Sequence, residues 1–319
     1  EERNDREDVK NLARLHLNLI QFYDWMYRHD TLLPPSDEYR DPMGKHRSLS
    51  TVRAKIALCH DYGMKAVAYG AVYAASEEFF AAHPDWALYD AGEAAIRFID
   101  RFYIMNISPD CPWHGHIIHE FRKAIEAMGF DGIHMDAYGF PKTALSRLES
   151  GGGIVRLDDQ FPLFIDSARS ELAKVKGDVF LVFNNVCNWP VEKSAQAGQD
   201  AVYIEVWEPY DRYDHLGEVV RWAKYLGQGK PVILAAYLAP FRKEALRRSG
   251  AAMSCFLFLT AVIASQGAYH LILGESRGVL TQGYYVDYER LTEDEFRTVR
   301  SYYDFLVRYC TLLYDPQLK

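Results

Sequence analysis

Two strand-like runs each carry one carboxylate where burying it is costly. The first is Phe130-Asp131-Gly132-Ile133-His134-Met135-Asp136-Ala137-Tyr138-Gly139, the second Ala201-Val202-Tyr203-Ile204-Glu205-Val206-Trp207-Glu208. Side chains alternate across a strand, so Ile133 and Met135 share one face and His134 and Asp136 the other. In the second run Val202, Ile204 and Val206 oppose Tyr203, Glu205 and Trp207. An inward-facing acid at the end of an apolar strand carries a desolvation cost unless something engages it. Two such acids on separate strands of one sheet make an acid–nucleophile pair of the kind that cleaves a glycosidic bond.

Competing roles attach to several of these residues. Asp136 and Glu205 could instead cap a helix, form a salt bridge or close a loop. Glu208 rivals Glu205, but it lies past the strand and before Pro209, where a loop or helix-start role is expected. Asp24 and Glu275 serve equally well as ties between neighbouring loops. His134 either orients a carboxylate or fills a layer of side chains. His60, at a helix end on the opposite side, is expected to be structural. His134 and Asp136 could be metal ligands, but the first strand carries no HxH, and HExxH is absent. No GxSxG supports a serine nucleophile. No cofactor is expected.

The elements that must position the two acids follow a repeating rhythm of short β-rich run and helical pattern. Candidate strands span 17–23, 65–69, 102–106, 132–136, 179–184, 201–205, 231–236 and 269–273. Helical periodicity falls at 50–62, 112–128, 158–175, 212–226, 241–265 and 292–313, and Gly63, Gly129, Gly177 and Gly227 follow the first four. Eight strands alternating with helices over this length predict a (β/α)8 TIM barrel in one domain, 1–319. A doubly wound sheet is the rival, without a GxGxxG or Walker loop to support it. Gly151-Gly152-Gly153 is the only flexible punctuation.

In a barrel the carboxyl ends of the strands carry the chemistry. Those ends are rich in carboxylates, amides and aromatics, and Trp25, Trp113, Trp189 and Trp207 all follow them. Flat aromatic faces beside polar acceptors suit a neutral, hydroxyl-rich ring. Composition agrees: 319 residues are 49% hydrophobic and 14% aromatic, enough for a large core, with net charge −8. Nucleic acid and anionic membrane are not expected partners. The most apolar stretch, 251–264, is too short to span a membrane and reads as a buried helix. The five cysteines have no CxxC spacing and are expected to be buried or half-buried thiols. The amino terminus is acidic and polar, without a signal peptide.

At these residues the chain resembles glycoside hydrolase family 66, the endo-dextranases and cycloisomaltooligosaccharide glucanotransferases. The similar stretches are NLIQFYDW at 18–25 with Arg28-His29, HDYGM at 60–64 leading to 68–73, GFDGIHMDAYG at 129–139, YIEVW at 203–207, 273–276 and 302–305. The resemblance implies a barrel and a retaining mechanism, with Asp136 as nucleophile and Glu205 as acid/base. It also implies a secreted or cell-surface protein. Members of the family usually carry flanking β-domains, and the glucanotransferases an inserted carbohydrate-binding module for which this chain has no room.

The expected activity is endo-hydrolysis of α-1,6-glucosidic links in dextran-type glucan by a monomer. Asp24, Tyr69, Asn185, Tyr237 and Glu275 are the candidates for binding sugar hydroxyls, with His134 and Tyr203 beside the acids and Trp25 and Trp207 as stacking platforms. A transglycosylase making (cyclo)isomaltooligosaccharides, or a barrel that binds glucan without cutting it, stands as the alternative.

Overall fold

The computed structural model describes residues 2–149 and 152–315. Helix α1 (Glu2–Arg14) leads into β1 (Leu19–Phe22), followed by α2 (Leu49–Asp61), β2 (Lys65–Ala71), α3 (Pro112–Met128), β3 (Gly132–Asp136), α4 (Leu157–Leu172) and β4 (Phe180–Val186). Then come β5 (Ala201–Glu205), α5 (Tyr213–Leu226), β6 (Val232–Ala235), α6 (Ala251–Ser265), β7 (Tyr269–His270) and α7 (Glu293–Arg308). The seven strands are hydrogen-bonded in chain order, and every pair is parallel. Parallel strands need crossovers; α2 to α6 supply five of the six on the outside of the curled sheet, and the short helix Val191–Ser194 lies in the one between β4 and β5. The result is the wall of a (β/α)8-type barrel, with β1 and β7 at its two edges.

One expected barrel strand lies elsewhere. Phe102–Ile104, within the 102–106 run, pairs antiparallel with Arg97–Phe98 and Ala74–Ala75 in a separate three-stranded sheet. Ile99 and Asp100, both with positive φ, turn the chain back between Arg97–Phe98 and Phe102. A hairpin strand keeps one face half-open, and Phe102, Tyr103 and Ile104 alternate buried, half-buried, buried. The two acids therefore sit on the third and fifth strands of the hydrogen-bonded sheet. The stretch 241–265 is also divided: Gly250, at φ 75°, separates the short helix Glu244–Arg248 from α6. Gly153 opens a strand, Gly153–Arg156, that pairs with Thr143–Ser146.

Two apolar masses hold the wall in place. On one side Trp113, Phe121, Phe130, Phe161, Phe164 and Phe183 are buried where α3 and α4 cover β2 to β4. On the other Val202, Ile204, Val220, Val232, Leu234 and Phe256 join α5 and α6 to β5 and β6. Inside the barrel Val182, Tyr203 and Ala235 form a small cluster beneath the carboxyl ends of β4, β5 and β6. His60 is structural as expected, 2.8 Å from Asp131, whose carboxylate also accepts from the Ala66 amide at the amino-terminal side of the sheet. All five cysteines are free, with Cys59 and Cys111 buried, Cys187 and Cys255 half-buried and Cys310 exposed, against the expectation for that last thiol. Among the described residues no helix is long and apolar enough to cross a membrane.

The pairing of β3 with β4 depends on Gly132. A Cβ there would lie 1.8 Å from the Phe180 carbonyl oxygen, a backbone atom that cannot swing aside. Gly132→Ala is expected to cost on the order of 3 kcal/mol or to prevent folding. Gly177→Ala, where a Cβ meets nothing within 4 Å, is the control and is expected to melt like the parent. Thermal unfolding of the two variants checks this.

Candidate active site

Strand register brings the polar groups together. His134 pairs with Tyr69 across β2 and β3, and Asp136 with Ala71. Asn184 stands one residue past the Phe183–Met135 pair and opposite Tyr203, while Val186 is opposite Glu205. Partners in a parallel ladder face the same way, so Asp136, Asn184, Tyr203 and Glu205 all point into the barrel mouth. They line one cleft with Gln21, Tyr23, Tyr69, His134, Gly283 and Tyr285.

The two acids share one amide. Asn184 Nδ2 donates to Asp136 Oδ1 at 2.7 Å and to Glu205 Oε2 at 3.1 Å. Laid end to end, those two distances limit the oxygens to a separation of at most about 5.8 Å. The remaining oxygens are held from outside the pair: Tyr69 Oη donates to Asp136 Oδ2 at 2.7 Å, and Tyr237 Oη donates to Glu205 Oε1 at 2.5 Å. Burial, and then the charge of Glu205, push the Asp136 carboxyl up to about 7 against the donations from Tyr69 and Asn184. Burial lowers His134 to about 3, so its ring is neutral between Tyr69 and Tyr203. Three cleft-lining atoms, Gln21 Nε2, His134 Nε2 and Asn184 Oδ1, are buried without a hydrogen-bond partner in the protein.

Asp136, Glu205, Tyr69, His134 and Tyr203 thus converge on one cleft, and Tyr237 reaches it through Glu205. Trp207 is 43% exposed at the rim, its ring 5.3 Å from that of Tyr237. Four other candidates fall outside the cleft wall. Trp25 is 2% exposed, donates to the Tyr69 carbonyl and packs edge-on against Phe130, so it is core and not a platform. Asn185 is fully buried on the opposite side of β4, donating to the carbonyls of Phe183 and Tyr203. Glu275 pairs with Lys55 at 2.7 Å, as a loop tie does. Asp24 is buried beside Tyr23 with φ 46°, and burial, then the nearby Asp41, raise its carboxyl to about 7. Glu208 is exposed beyond the strand.

Five cleft residues escaped the sequence: Gln21, Tyr23, Asn184, Gly283 and Tyr285. For Asn184 a signal existed, because the alternation that turns Asp136 inward, carried across the register, selects it over Asn185. For Gly283 and Tyr285 none did, because they arrive on a loop from the far end of the chain.

The chain matches the model of glycosyl hydrolase family 66 over residues 1–319. A cycloisomaltooligosaccharide glucanotransferase of Niallia circulans is 31% identical over 250 residues, covering 72% of this chain and 25% of the glucanotransferase. A dextranase of Streptococcus salivarius is 23% identical over 363 residues, covering 97% of this chain and 43% of the dextranase. The chain therefore spans less than half the length of either relative. Among solved structures, a Paenibacillus sp. cycloisomaltooligosaccharide glucanotransferase complexed with cycloisomaltoheptaose superposes with TM-score 0.88 at 20% identity, over 99% of this chain and 65% of that one. An α-amylase of Geobacillus thermoleovorans complexed with acarbose gives TM-score 0.67 at 12% identity, over 97% of this chain and 73% of the amylase. At such identities the structural likeness speaks for the barrel fold, while the match over the full chain decides its kinship: this protein belongs to glycosyl hydrolase family 66.

Proposed function

We propose that the protein cleaves α-1,6-glucosidic links of dextran-type glucan with net retention, through a glycosyl-enzyme ester on Asp136. The observation that carries this is the single Asn184 amide spanning both acids, which limits the facing oxygens to about 5.8 Å. Retaining glycosidases hold their carboxyl groups roughly 5–5.5 Å apart, and inverting ones roughly 6.5–9.5 Å to admit a water. Support for the linkage comes from the relatives, named as a dextranase and as glucanotransferases of cycloisomaltooligosaccharides.

The roles of the two acids are those the family resemblance implies. Glu205 gives its proton to the leaving glycosidic oxygen as Asp136 attacks the anomeric carbon; the C–O bond breaks and an ester forms. Glu205, now ionised, takes a proton from the incoming acceptor, whose oxygen displaces Asp136. Burial and the charge of Glu205 hold the Asp136 carboxyl up at about 7, so its ionised, attacking form grows as pH rises towards that value. The unpartnered Gln21, His134 and Asn184 atoms are suited to sugar hydroxyls, and Trp207 to a ring face at the rim. Every group named comes from one chain, so a monomer suffices. A polymer substrate places the reaction outside the cell.

A second reading has its own support. The 31% identical relative is a glucanotransferase, and the first half-reaction is the same for both. Water as acceptor gives hydrolysis; a glucan hydroxyl gives transfer or cyclisation.

Incubation with dextran, pullulan, starch and isomaltooligosaccharides, with anomer-resolved product detection, is the direct test. Products from dextran retaining the α-configuration are expected; turnover only of starch or pullulan, or β-products, would overturn the proposal. Asp136→Asn is expected to lower turnover by a factor on the order of 10³ or more while glucan binding persists. The same variant carries a stability signature. An acid whose pKa is raised on folding keeps its proton best in the folded state, so folding loses stability as pH rises from about 4 towards about 7. Asp136→Asn should therefore melt progressively higher than the parent across that window, as calorimetry at several pH values would show. Glu205→Gln is expected to lose activity on dextran and to recover part of it on substrates with an activated leaving group. Glu208→Gln is expected to behave as the parent in both assays.

A further inference from the structure

Three elements meet on the side of Glu205 that lies away from Asp136. Val206 N–H donates to the Ala235 carbonyl at 3.0 Å, so the alternation of β5 runs on past its end and Trp207 keeps the parity of Glu205. The indole stands at the rim beside Tyr237, which follows β6. The loop 280–288 brings Gly283 up to it: a Cβ there would lie 2.9 Å from Trp207 Cζ2, 3.3 Å from Trp207 Cη2 and 3.1 Å from Glu205 Oε1. The backbone does not ask for glycine at this position, because its φ lies outside the left-handed range. The need is for space. Before Gly283 the loop is pinned where Leu280 N–H donates to the Ile272 carbonyl at 2.8 Å and Arg242 Nη1 to Gln282 Oε1 at 2.8 Å. After it, the hydroxyls of Tyr285 and Tyr203 lie 2.6 Å apart. A side chain at 283 would therefore displace the edge of the indole, the more movable of the two partners.

We propose that Trp207, seated by the missing side chain of Gly283, is the platform for the sugar on the leaving-group side of the cleft, and that this pair sets how often a glucan hydroxyl instead of water takes up the glycosyl unit. The proposal rests on Asp136 acting as nucleophile and Glu205 as acid/base. In the second half-reaction the acceptor oxygen bonds to the anomeric carbon, the ester C–O bond to Asp136 breaks, and the acceptor proton goes to Glu205. A departing sugar and an arriving one occupy the same place beside Glu205, by microscopic reversibility. Trp207, two residues further out on the same face, borders that place, whereas Asp136 lies two strands away on the opposite side. Water needs no platform there. A glucose ring gains by laying its apolar face on the exposed indole.

A 4-nitrophenyl α-isomaltoside donor with isomaltotriose as acceptor tests this. Nitrophenol counts every glycosyl-enzyme formed, and chromatography divides the products between isomaltose from hydrolysis and the longer saccharide from transfer. Both acceptors give their proton to Glu205, so a disturbed acid/base lowers both rates and leaves their ratio unchanged, while a lost platform lowers the ratio. At one acceptor concentration the transfer-to-hydrolysis ratio is expected to fall roughly five- to tenfold in Trp207→Ala and in Gly283→Ala. The double variant should lie within about twofold of Trp207→Ala, because the added methyl group then has no indole to displace. A ratio like the parent's in either single variant, or a double variant carrying the product of the two losses, would overturn the proposal. Should Gly283→Ala fail to fold, adding Trp207→Ala is expected to restore the fold, and a double variant that stays unfolded overturns the contact. Calorimetric titration of isomaltoheptaose into the Asp136→Asn protein needs no turnover. Adding Trp207→Ala or Gly283→Ala should weaken that binding by a similar factor, and unchanged affinity would overturn the platform. A parent inactive on every isomaltosyl donor would instead sink the assignment of function, and the titration would still decide whether the indole grips glucan.

Discussion

One amide between two carboxylates is the constraint on which the site depends. At an effective dielectric of about 20, unit charges at most about 5.8 Å apart repel by about 3 kcal/mol or more. Asn184 offsets part of this by donating one N–H to each acid, and Tyr69 and Tyr237 occupy the outer oxygens. The repulsion that remains, together with burial, holds the Asp136 carboxyl up at about 7. The geometry is fixed by strands and not by loops. Acids on β3 and β5 flank β4, so the residue that bridges them has to come from the strand between.

Around this pair the barrel mouth is lined by phenols. Tyr23, Tyr69, Tyr203 and Tyr285 all line the cleft, and burial raises each of their pKa values, so they act as neutral donors. Neutral donors hold a carboxylate in place without the strong lowering that a lysine or arginine would bring. Gln21, His134 and Asn184 add buried atoms without protein partners in the same cleft. A buried polar atom left unpaired costs about 1–3 kcal/mol, so a ligand rich in hydroxyls would recover that cost on binding.

The scaffold explains why so few residues suffice. The two apolar masses on either side of the sheet fix β2 to β6 as rigid staves, and Gly132 lets β3 and β4 close to ladder distance at their start. The loops above them are free to differ. One carries the antiparallel sheet containing Phe102–Ile104, and another brings Gly283 and Tyr285 over the acid. Rigid strands carry the two acids, while loops set what surrounds them.

Periodicity alone determined much of this protein. The alternation of Gly132–Asp136 and Ala201–Glu205 put both acids on inward faces, and the helix from Pro112 to Met128 with its Gly129 stop was legible because caps and stripes are local. Locality is also where that reading ran out. The run at 102–106 has the composition of a strand, but only the turn at Ile99 and Asp100 makes it a hairpin and not a stave. Asn185 follows a strand end as site residues do, yet parity buries it, while Trp25 shares the parity of Gln21 and Tyr23 but lies beyond β1, where the chain turns at Asp24 with φ 46° and buries its ring. Tertiary structure alone decided that Asn184 spans the acids and that Tyr285, 80 residues beyond Glu205, completes the far side of the cleft. Those are distances between strands and loops brought together by packing, and a hydrophobic pattern along one segment holds no information about them.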